Sequence, residues 1–304
     1  MTIRGTLKVQ GANLYYKVRG SGPTLLVLQG GAGNADASDG IASVLEHTFT
    51  TISYDRRGLL RSPLDDPRQP LTVEQHAEDA RELIRTLASG PVFAFGSSVG
   101  ASIGLELLAR SPDQIAMLVA HEPPAVDLLT GAWRERYDQL CCEIRDAALR
   151  EGPRQALRIQ VTGLGIDGED REDDAEPPAS GRIQSKETTF LLTREARAIE
   201  RYRLKLEVLR EHSDKVVCAF GASSREYYPA QCAMALAAAI GSASKEFPGG
   251  HTGYVLRPRA FAQTLETVLV TKRESERRLT VPLGPQDQLR ELVNPEAAVP
   301  IKRH

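Results

Sequence analysis

The sequence predicts an α/β fold: a mostly parallel central sheet, helices on both of its faces and a helical cap inserted in the middle of the chain. The first observation is a set of continuous apolar runs at 24–28, 91–95, 115–120 and 216–220. They lack the alternation of a half-exposed strand, which is typical of parallel strands covered on both faces. The second is a β-α-β rhythm as far as residue 120, and the third is the break in that rhythm over 123–212.

The first half of the chain predicts its elements in turn. An alternating pattern on either side of Gly11 indicates an antiparallel hairpin over 7–18, at a sheet edge. The apolar runs Thr24–Leu28 and Phe49–Tyr54 indicate the next two strands. Helical periodicity over Thr72–Ala88 follows a proline-rich loop.

The second half contains the predicted cap. Helices are expected at Ser102–Arg110, Leu128–Arg150, Arg154–Val161, Glu187–Arg210, Ala230–Ile240 and Pro258–Lys272, and strands at Ile115–Ala120, Lys215–Gly221 and Ser244–Phe247. The expected regions are a core over 1–122 and 213–273, a cap over 123–212 and a polar C-terminal tail over 274–304. A loop within the cap, 165–179, holds seven acidic residues and one arginine, and we expect it to be solvated.

Composition excludes several classes of partner. The 304 residues are 41% hydrophobic and 26% charged, enough to bury a central sheet under helices on both faces. The formal net charge is −2, and glutamates interrupt the longest basic stretch, 272–278, so no nucleic-acid partner is expected. There is no signal-like N-terminus and no run near the roughly 20 apolar residues of a membrane span. We expect a cytoplasmic protein with no membrane partner.

The cysteines and most histidines are expected to have no role in function. No cysteine is spaced like a metal ligand, so no metal is expected, and Cys141 and Cys142 are expected to be buried thiols on a helix. His47, His76 and His212 stand in helical or helix-end patterns and are expected at the surface.

One motif carries chemistry directly. Residues 96–100 read Gly-Ser-Ser-Val-Gly, between the strand at 91–95 and a helical pattern beginning at Ala101. A strand-to-helix turn this sharp forces its central residue into unusual backbone angles and requires small residues two positions away. It also presents the central hydroxyl beside helix amides that can stabilise an oxyanion. Ser98 is therefore the expected nucleophile; the alternative is a glycine-rich turn of a nucleotide-binding sheet.

A serine nucleophile needs a base, most often histidine, that is held by a carboxylate. His251 is the best candidate, because it follows the last predicted strand in the glycine-rich loop Gly249-Gly250-His251-Thr252-Gly253. The alternative is a structural histidine that caps the loop.

Together these motifs resemble the α/β-hydrolase superfamily over about residues 5–273. The resemblance is carried by Gln29-Gly30-Gly31-Ala32-Gly33, Asp55-Arg56-Arg57-Gly58, the turn at Ser98 and His251. Members usually have histidine in place of Gln29 and glycine in place of Leu60. The resemblance implies an α/β-hydrolase fold, an oxyanion hole formed by the amides of Gly31 and Val99, and no cofactor. Residues 55–58 are expected to form structural ion pairs.

The acid has two candidates. Most members carry it after the strand at 216–220, where this chain has no aspartate and offers Glu226. Glu122 stands 24 residues after Ser98, one helix and one strand later, which returns it to the same sheet edge. The segments Gly96–Ser102 and His121-Glu122-x-Pro124 resemble the zearalenone lactone hydrolases, whose triad acid is a glutamate at this strand end. Glu122 is favoured; it could instead shape the entry to the cap.

The resemblance implies a serine hydrolase that cleaves a small-molecule carboxylic ester or lactone through an acyl-enzyme, with a zearalenone-type macrolactone as one candidate. A thioesterase or carbon-carbon bond hydrolase would use the same triad, and a non-catalytic ligand-binding homologue is the other alternative. Trp133 and Tyr137 are candidate pocket residues, although an aromatic pair at helical spacing also serves packing. His121 is expected to be a structural neighbour of the site.

Overall fold

The computed structural model describes residues 1–31, 33–173, 175, 190 and 194–280, with side chains as far as residue 271. It has two compact units. The first, Met1–Glu266, contains the sheet and the residues of the candidate site. In the second, from Thr267 onward, a helix continues to Thr280, and the Thr271 hydroxyl donates to the Thr267 carbonyl at 2.8 Å.

An eight-stranded sheet confirms the predicted fold class. Its strands are β1 (Thr2–Val9), β2 (Ala12–Gly20), β3 (Thr24–Leu28), β4 (Thr50–Tyr54), β5 (Val92–Ser97), β6 (Ile115–His121), β7 (Val216–Gly221) and β8 (Ala243–Phe247). They lie in the order β1-β2-β4-β3-β5-β6-β7-β8. The β1–β2 and β2–β4 pairs are antiparallel, and the other pairs are parallel. The predicted hairpin is therefore the edge of the sheet.

The described α-helices are α1 (Asp39–Leu45), α2 (Val73–Leu87), α3 (Val99–Arg110), α4 (Gly131–Arg150), α5 (Pro153–Gly163), α6 (Ala196–Arg201), α7 (Leu206–Glu211), α8 (Tyr228–Ile240), α9 (Gly253–Leu256) and α10 (Pro258–Thr280). The N-terminus of α2 is capped by Thr72, whose hydroxyl accepts from the Gln75 amide. In the described chain, no helix is both long and apolar enough to cross a membrane.

Strand register determines where the site can form. Ser97 at the end of β5 is level with His121 on β6, and His121 is level with Ala219 on β7. The carboxyl ends of parallel strands meet at one edge of the sheet. The residues that follow β5, β6, β7 and β8 therefore lie near one another, although up to 150 residues of sequence separate them.

Two cysteine predictions were wrong. Cys141 and Cys142 are exposed, because α4 buries only Ala147 of its 20 residues and most of its surface faces solvent. Cys218 and Cys232 are buried, and burial raises the pKa of their thiols to about 11 and about 12. These two thiols are protonated and unreactive at neutral pH.

The prediction for His76 was also wrong. Its side chain is buried because it lies three residues after Val73 and four before Ala80, on the face that α2 packs against the protein. As predicted, His47 is exposed, whereas His212 is half-buried.

The helix predicted over 187–210 is interrupted in the part that the structure describes. Helix α6 ends at Arg201, and α7 begins at Leu206. Between them the Tyr202 hydroxyl and the Lys205 amine both donate to the buried carboxylate of Glu106, at 3.1 and 2.8 Å. This tertiary contact interrupts the helix, which periodicity alone could not predict. Residues 187–189 and 191–193 lie outside the described residues.

The last helix continues beyond its predicted end. It extends to Thr280, so residues 274–280 of the predicted tail are helical. The rest of the tail, 281–304, lies outside the described residues. The boundaries of the cap and the tail remain predictions.

Candidate active site

The turn at Ser98 has the geometry that its motif predicts. Ser98 has φ 54° and ψ −121°, in a region that L-residues rarely adopt, and it directly precedes α3. A Cβ on Gly100 would lie 2.0 Å from the Leu28 carbonyl oxygen, and a Cβ on Gly96 would lie 2.5 Å from that of Gly100. Only glycine fits at either position, so the two glycines permit the turn that holds Ser98, which is partly exposed.

Glu122 lies at the neighbouring strand end and is held by its backbone and its side chain. Its φ is 48°, and its amide donates to the Ala219 carbonyl at 2.9 Å. One carboxylate oxygen, Oε1, accepts from the Gly221 amide at 2.8 Å. The other, Oε2, lies 2.7 Å from Nδ1 of His251. Both side chains are buried, so this hydrogen bond is shielded from water.

The charge of Glu122 sets the tautomer of His251. Burial would raise the pKa of this carboxyl group, but the hydrogen bond from His251 and the neighbouring imidazoles and Gly221 amide outweigh it, so the pKa lies below its usual value. An ionised carboxylate can only accept, so Nδ1 of His251 carries the proton of the shared bond. The second ring nitrogen, Nε2, is then the one able to accept a proton.

Glu226, the alternative acid, is exposed and has no ion pair or hydrogen bond within the described residues. The neighbouring Arg225 binds Glu246, with its Nε 2.7 Å from Oε2, and its guanidinium lies over the Phe220 ring. The structure thus brings Glu122, and not Glu226, to the histidine.

His121 is a buried neighbour of the site. Its ring packs edge-on against Phe247 and Phe261, and neither of its nitrogens has a partner in the described part of the chain. Burial lowers its pKa to about 4, so the ring is neutral at physiological pH. Its backbone carbonyl accepts from the Ser98 amide at 2.9 Å, which ties the turn to β6.

Arg56 determines how the loop after β3 presents its amides. Its Nη1 donates to the carbonyls of Gln29 and Gly30, at 2.6 and 2.8 Å, and its Nη2 to that of Gly31 at 3.2 Å. Within a trans peptide the C=O and the following N–H point in opposite directions. The Gly30 amide therefore faces away from Arg56, towards the Tyr254 hydroxyl at 3.3 Å. By the same geometry the Gly31 amide also faces away from Arg56.

Val99 completes the set of candidate donors. It is the first residue of α3, and the first amides of a helix have no acceptor within the helix. A Cβ placed on Gly31 would meet nothing within 4 Å among the described residues, so a ligand can approach the backbone there. The sequence analysis named Gly31 and Val99 and expected Arg56 to form an ion pair, which it does with Glu195. It did not predict that Arg56 also binds the carbonyls of the loop after β3, or that the Gly221 amide binds Glu122. The unusual pair of arginines at 56–57 was the available signal for Arg56.

A family model for the alpha/beta hydrolase fold matches residues 23–158. The hydrolase YraK of Bacillus subtilis, whose activity is uncharacterised, is 34% identical over 279 residues, which are 90% of this chain and 99% of YraK. This chain belongs to the α/β-hydrolase family. A 2-(acetamidomethylene)succinate hydrolase of Mesorhizobium japonicum is 35% identical over 107 residues, 35% of this chain and 38% of that enzyme.

Solved structures show the same fold at low identity. A putative epoxide hydrolase from Pseudomonas aeruginosa has a TM-score of 0.66 and 19% identity, over 90% of this chain and 97% of its own. A thermophilic esterase from Thermogutta terrifontis has a TM-score of 0.64 and 17% identity, over 89% of this chain and 99% of the esterase. At such identities the likeness concerns the fold alone.

The two departures from the α/β-hydrolase pattern have structural consequences. Gln29 is buried, and its amide donates to the Ser38 hydroxyl at 2.8 Å. Leu60 has φ 42°, which explains why other hydrolases prefer glycine there, and its side chain is half exposed.

The ion pairs predicted for residues 55–58 are present. Arg57 forms a buried two-point pair with Asp79, in which Nε lies 2.6 Å from Oδ2. Asp55 binds Arg61 and accepts from the Ala35 amide. These pairs fix the loop after β4 in this hydrolase.

Trp133 and Tyr137 are half-buried residues of α4 that pack against the hydrophobic core. The Tyr137 ring lies 5.1 Å from that of Tyr228, and the Arg136 guanidinium lies 4.9 Å from the Trp133 ring. These contacts show that both residues serve packing. A role for them in a substrate pocket remains a prediction. A cavity of about 190 Å³ lies elsewhere, lined by Pro70, Leu71, Arg194, Arg197, Ala198 and Arg201.

Proposed function

We propose that this protein is a serine hydrolase that cleaves a carboxylic ester or lactone through an acyl-enzyme intermediate. The observation that carries the proposal is the hydrogen-bonded pair of Glu122 and His251, which lies buried at the sheet edge where Ser98 follows β5. A nucleophile, an imidazole with a free nitrogen and an orienting carboxylate are the parts that a serine hydrolase needs.

The proposed mechanism follows from these roles. His251 Nε2 takes the hydroxyl proton while Ser98 Oγ attacks the substrate carbonyl, and the amides of Gly31 and Val99 stabilise the oxyanion. The carbonyl re-forms as the C–O bond of the ester breaks, and the imidazolium gives its proton to the leaving alcohol oxygen. Water then attacks the acyl-enzyme with His251 again as base, which releases the carboxylic acid and restores Ser98. Glu122 stabilises the imidazolium in both halves.

Ester chemistry is favoured over epoxide opening because of the residue at the turn. Opening an epoxide through an alkyl-enzyme requires a carboxylate nucleophile, whereas Ser98 is suited to acyl transfer. The likeness to a putative epoxide hydrolase concerns the fold and does not bear on this choice.

The proposal is tested with a fluorophosphonate probe and p-nitrophenyl esters. We expect wild type to be labelled and to hydrolyse the esters, and we expect both properties to be lost in Ser98→Ala. Ser89→Ala is a matched control, because Ser89 is an exposed serine in the loop before β5. A wild-type protein that neither reacts with the probe nor cleaves any ester would contradict the proposal and favour a ligand-binding protein.

A substrate panel then defines the bond that is cleaved. Aliphatic lactones, a zearalenone-type macrolactone, linear esters, thioesters and a β-diketone are compared by kcat/KM. A lactone or oxygen ester should give the highest value. A higher value for a thioester or for carbon-carbon cleavage would replace the proposed substrate class while retaining the triad.

A further inference from the structure

An acidic segment binds the loop that carries His251. This acidic strap, residues 165–173, follows α5 within the predicted cap. It was expected to be solvated, and that expectation was wrong for Asp170 and Glu172. The histidine loop is defined here as residues 249–257. Asp170 binds its last residue, Arg257, and Glu172 binds the backbone of the residues that follow it. The positions 174 and 176–179 of the predicted acidic loop lie outside the described residues.

Asp170 joins the loop after β7 to the end of the histidine loop. Its Oδ2 accepts from the Ser223 hydroxyl at 2.7 Å, and its Oδ1 accepts from Nε of Arg257 at 2.7 Å and from a second guanidinium N–H. Partial burial would raise the pKa of Asp170, but the bonds from Ser223 and Arg257 outweigh it, so the pKa lies below its usual value. The carboxylate is therefore ionised at neutral pH.

Glu172 binds the backbone at the end of the histidine loop and at the start of α10. Its backbone amide donates to the Leu256 carbonyl at 2.8 Å. Its carboxylate oxygens accept from the amides of Arg259 and Ala260, at 3.1 and 2.9 Å. These are among the first amides of α10, which lack acceptors within their own helix, so Glu172 caps that helix from a distant segment.

The histidine loop ends at these anchors. Gly249 has φ 79°, and a Cβ on it would lie 3.2 Å from Cδ of Arg257. A Cβ on Gly250 would lie 3.5 Å from the Gly165 carbonyl oxygen, at the start of the strap. Two successive glycines before His251 leave the free loop with many accessible conformations. The strap and its anchors reduce that freedom by contact.

We propose that Asp170 and Glu172 are positioning residues, which clamp the histidine loop so that the His251 ring stays on Glu122 during proton transfer. This inference rests on the proposed function. A proton transfer between Ser98 and His251 is sensitive to displacements of about 1 Å, so a looser loop slows the chemical step more than substrate binding. The contacts act through His251 and involve no substrate atom.

The test compares Asp170→Asn and Glu172→Gln with Asp173→Asn. Asp173 is an exposed carboxylate of the same strap that makes no clamp contact with the described residues, so its change removes the same charge and leaves the clamp intact. We expect kcat for p-nitrophenyl acetate to fall about tenfold in the first two variants, with KM changed less than about twofold, because the loss lies in the chemical step. Asp173→Asn should match wild type.

A double-mutant cycle and hydrogen exchange give independent readouts. Asp170→Asn and Arg257→Gln should be non-additive, because each removes the same pair. Amides of residues 249–257 should exchange faster in Asp170→Asn than in Asp173→Asn, under conditions where both remain folded. Unchanged kcat together with unchanged exchange in Asp170→Asn would overturn the proposal. Exchange requires no turnover, so a wild type without hydrolysis would refute the proposed function while the clamp was still decided by exchange.

Discussion

At the scale of single residues, the hydrogen bonds and the backbone conformation of Glu122 could not be predicted from composition. Its carboxylate is satisfied on both oxygens, by Gly221 and by His251, and its positive φ is stabilised by a backbone bond to Ala219. Strain of this kind persists where the surroundings hold it, and it concentrates at functional sites. Ser98 and Glu122 are two of three non-glycine residues of the described chain with positive φ.

The two candidate acids make opposite predictions. Glu122→Gln keeps the shape of the side chain but removes the charge that orients and stabilises the imidazolium, so kcat should fall on the order of a thousandfold. Glu226→Gln changes an exposed side chain and should leave kcat within about twofold of wild type. Steady-state hydrolysis of p-nitrophenyl acetate measures both. Full activity in Glu122→Gln would remove Glu122 from the mechanism.

Arg56 leads to a second residue-scale prediction. Five N–H groups of its guanidinium satisfy three carbonyls and Glu195, with Nε of Arg56 2.7 Å from Glu195 Oε1. Lysine keeps the charge but cannot reproduce this fork, so Arg56→Lys should lower kcat about tenfold or more by misplacing the Gly31 amide. Arg68→Lys, at an exposed position, is the control. Equal kcat values in the two variants would contradict the role given to Arg56.

Local sequence predicted Ser98 and His251 because each lies in a short motif. The acid was harder, since choosing between Glu122 and Glu226 depends on the register of β6 against β7, which is a long-range property. Hydrogen bonds from backbone amides, such as that of Gly221 to Glu122, are hard to predict from sequence, because nearly every residue type has the same amide.

At the scale of elements, the strands could be predicted best. Each predicted strand of the parallel region agrees with the structure to within about two residues. For β3 to β7 the reason is that burial on both faces produces an apolar run, whereas β8 is mostly exposed. The interruption at Tyr202–Lys205 was missed, because the Glu106 carboxylate that binds this segment lies about 100 residues earlier. The strap was missed for the same reason, since its anchors are distant in sequence.

The turn at Ser98 makes a prediction about stability. In Gly100→Ala the new Cβ would clash with the Leu28 carbonyl, which is backbone and cannot move aside cheaply, so unfolding free energy should fall by about 3 kcal/mol or more. Gly90→Ala is the control, because a Cβ there would meet nothing within 4 Å in the described chain. Urea unfolding measures both. Equal stability of the two variants would contradict this close approach of helix and strand.

At the scale of the whole molecule, two buried histidines should make the fold acid-sensitive. Burial lowers the pKa of His121 from 6.5 to about 4, and it also lowers that of His76 well below 6.5. Between the lowered pKa of the folded state and the ordinary value of 6.5, the unfolded chain binds protons that the folded chain does not. The contribution of these histidines to the free energy of unfolding is therefore fully present above about pH 6.5 and is lost as the pH falls. His121 alone accounts for about 3 kcal/mol across that window.

This loss is measured by urea unfolding at about pH 7 and about pH 5. His121→Phe should show a smaller decrease than wild type, because its ring does not titrate and its neighbours Phe247 and Phe261 are apolar. An identical decrease in the variant would show that His121 does not contribute.

Chain order made the overall architecture predictable: parallel strands, a turn between β5 and α3, and an inserted run of helices. The shared sheet edge follows from that topology, whereas the substrate depends on side chains of the inserted segment that periodicity does not place.

Capture of an acyl-enzyme is the sharpest test of Ser98 as the nucleophile. The protein is mixed with p-nitrophenyl acetate, quenched in acid and analysed by intact mass and peptide mapping. We expect a burst of p-nitrophenol and a single acetyl group on Ser98, both absent in Ser98→Ala. Acetylation of a different residue, or undiminished hydrolysis by Ser98→Ala, would contradict it.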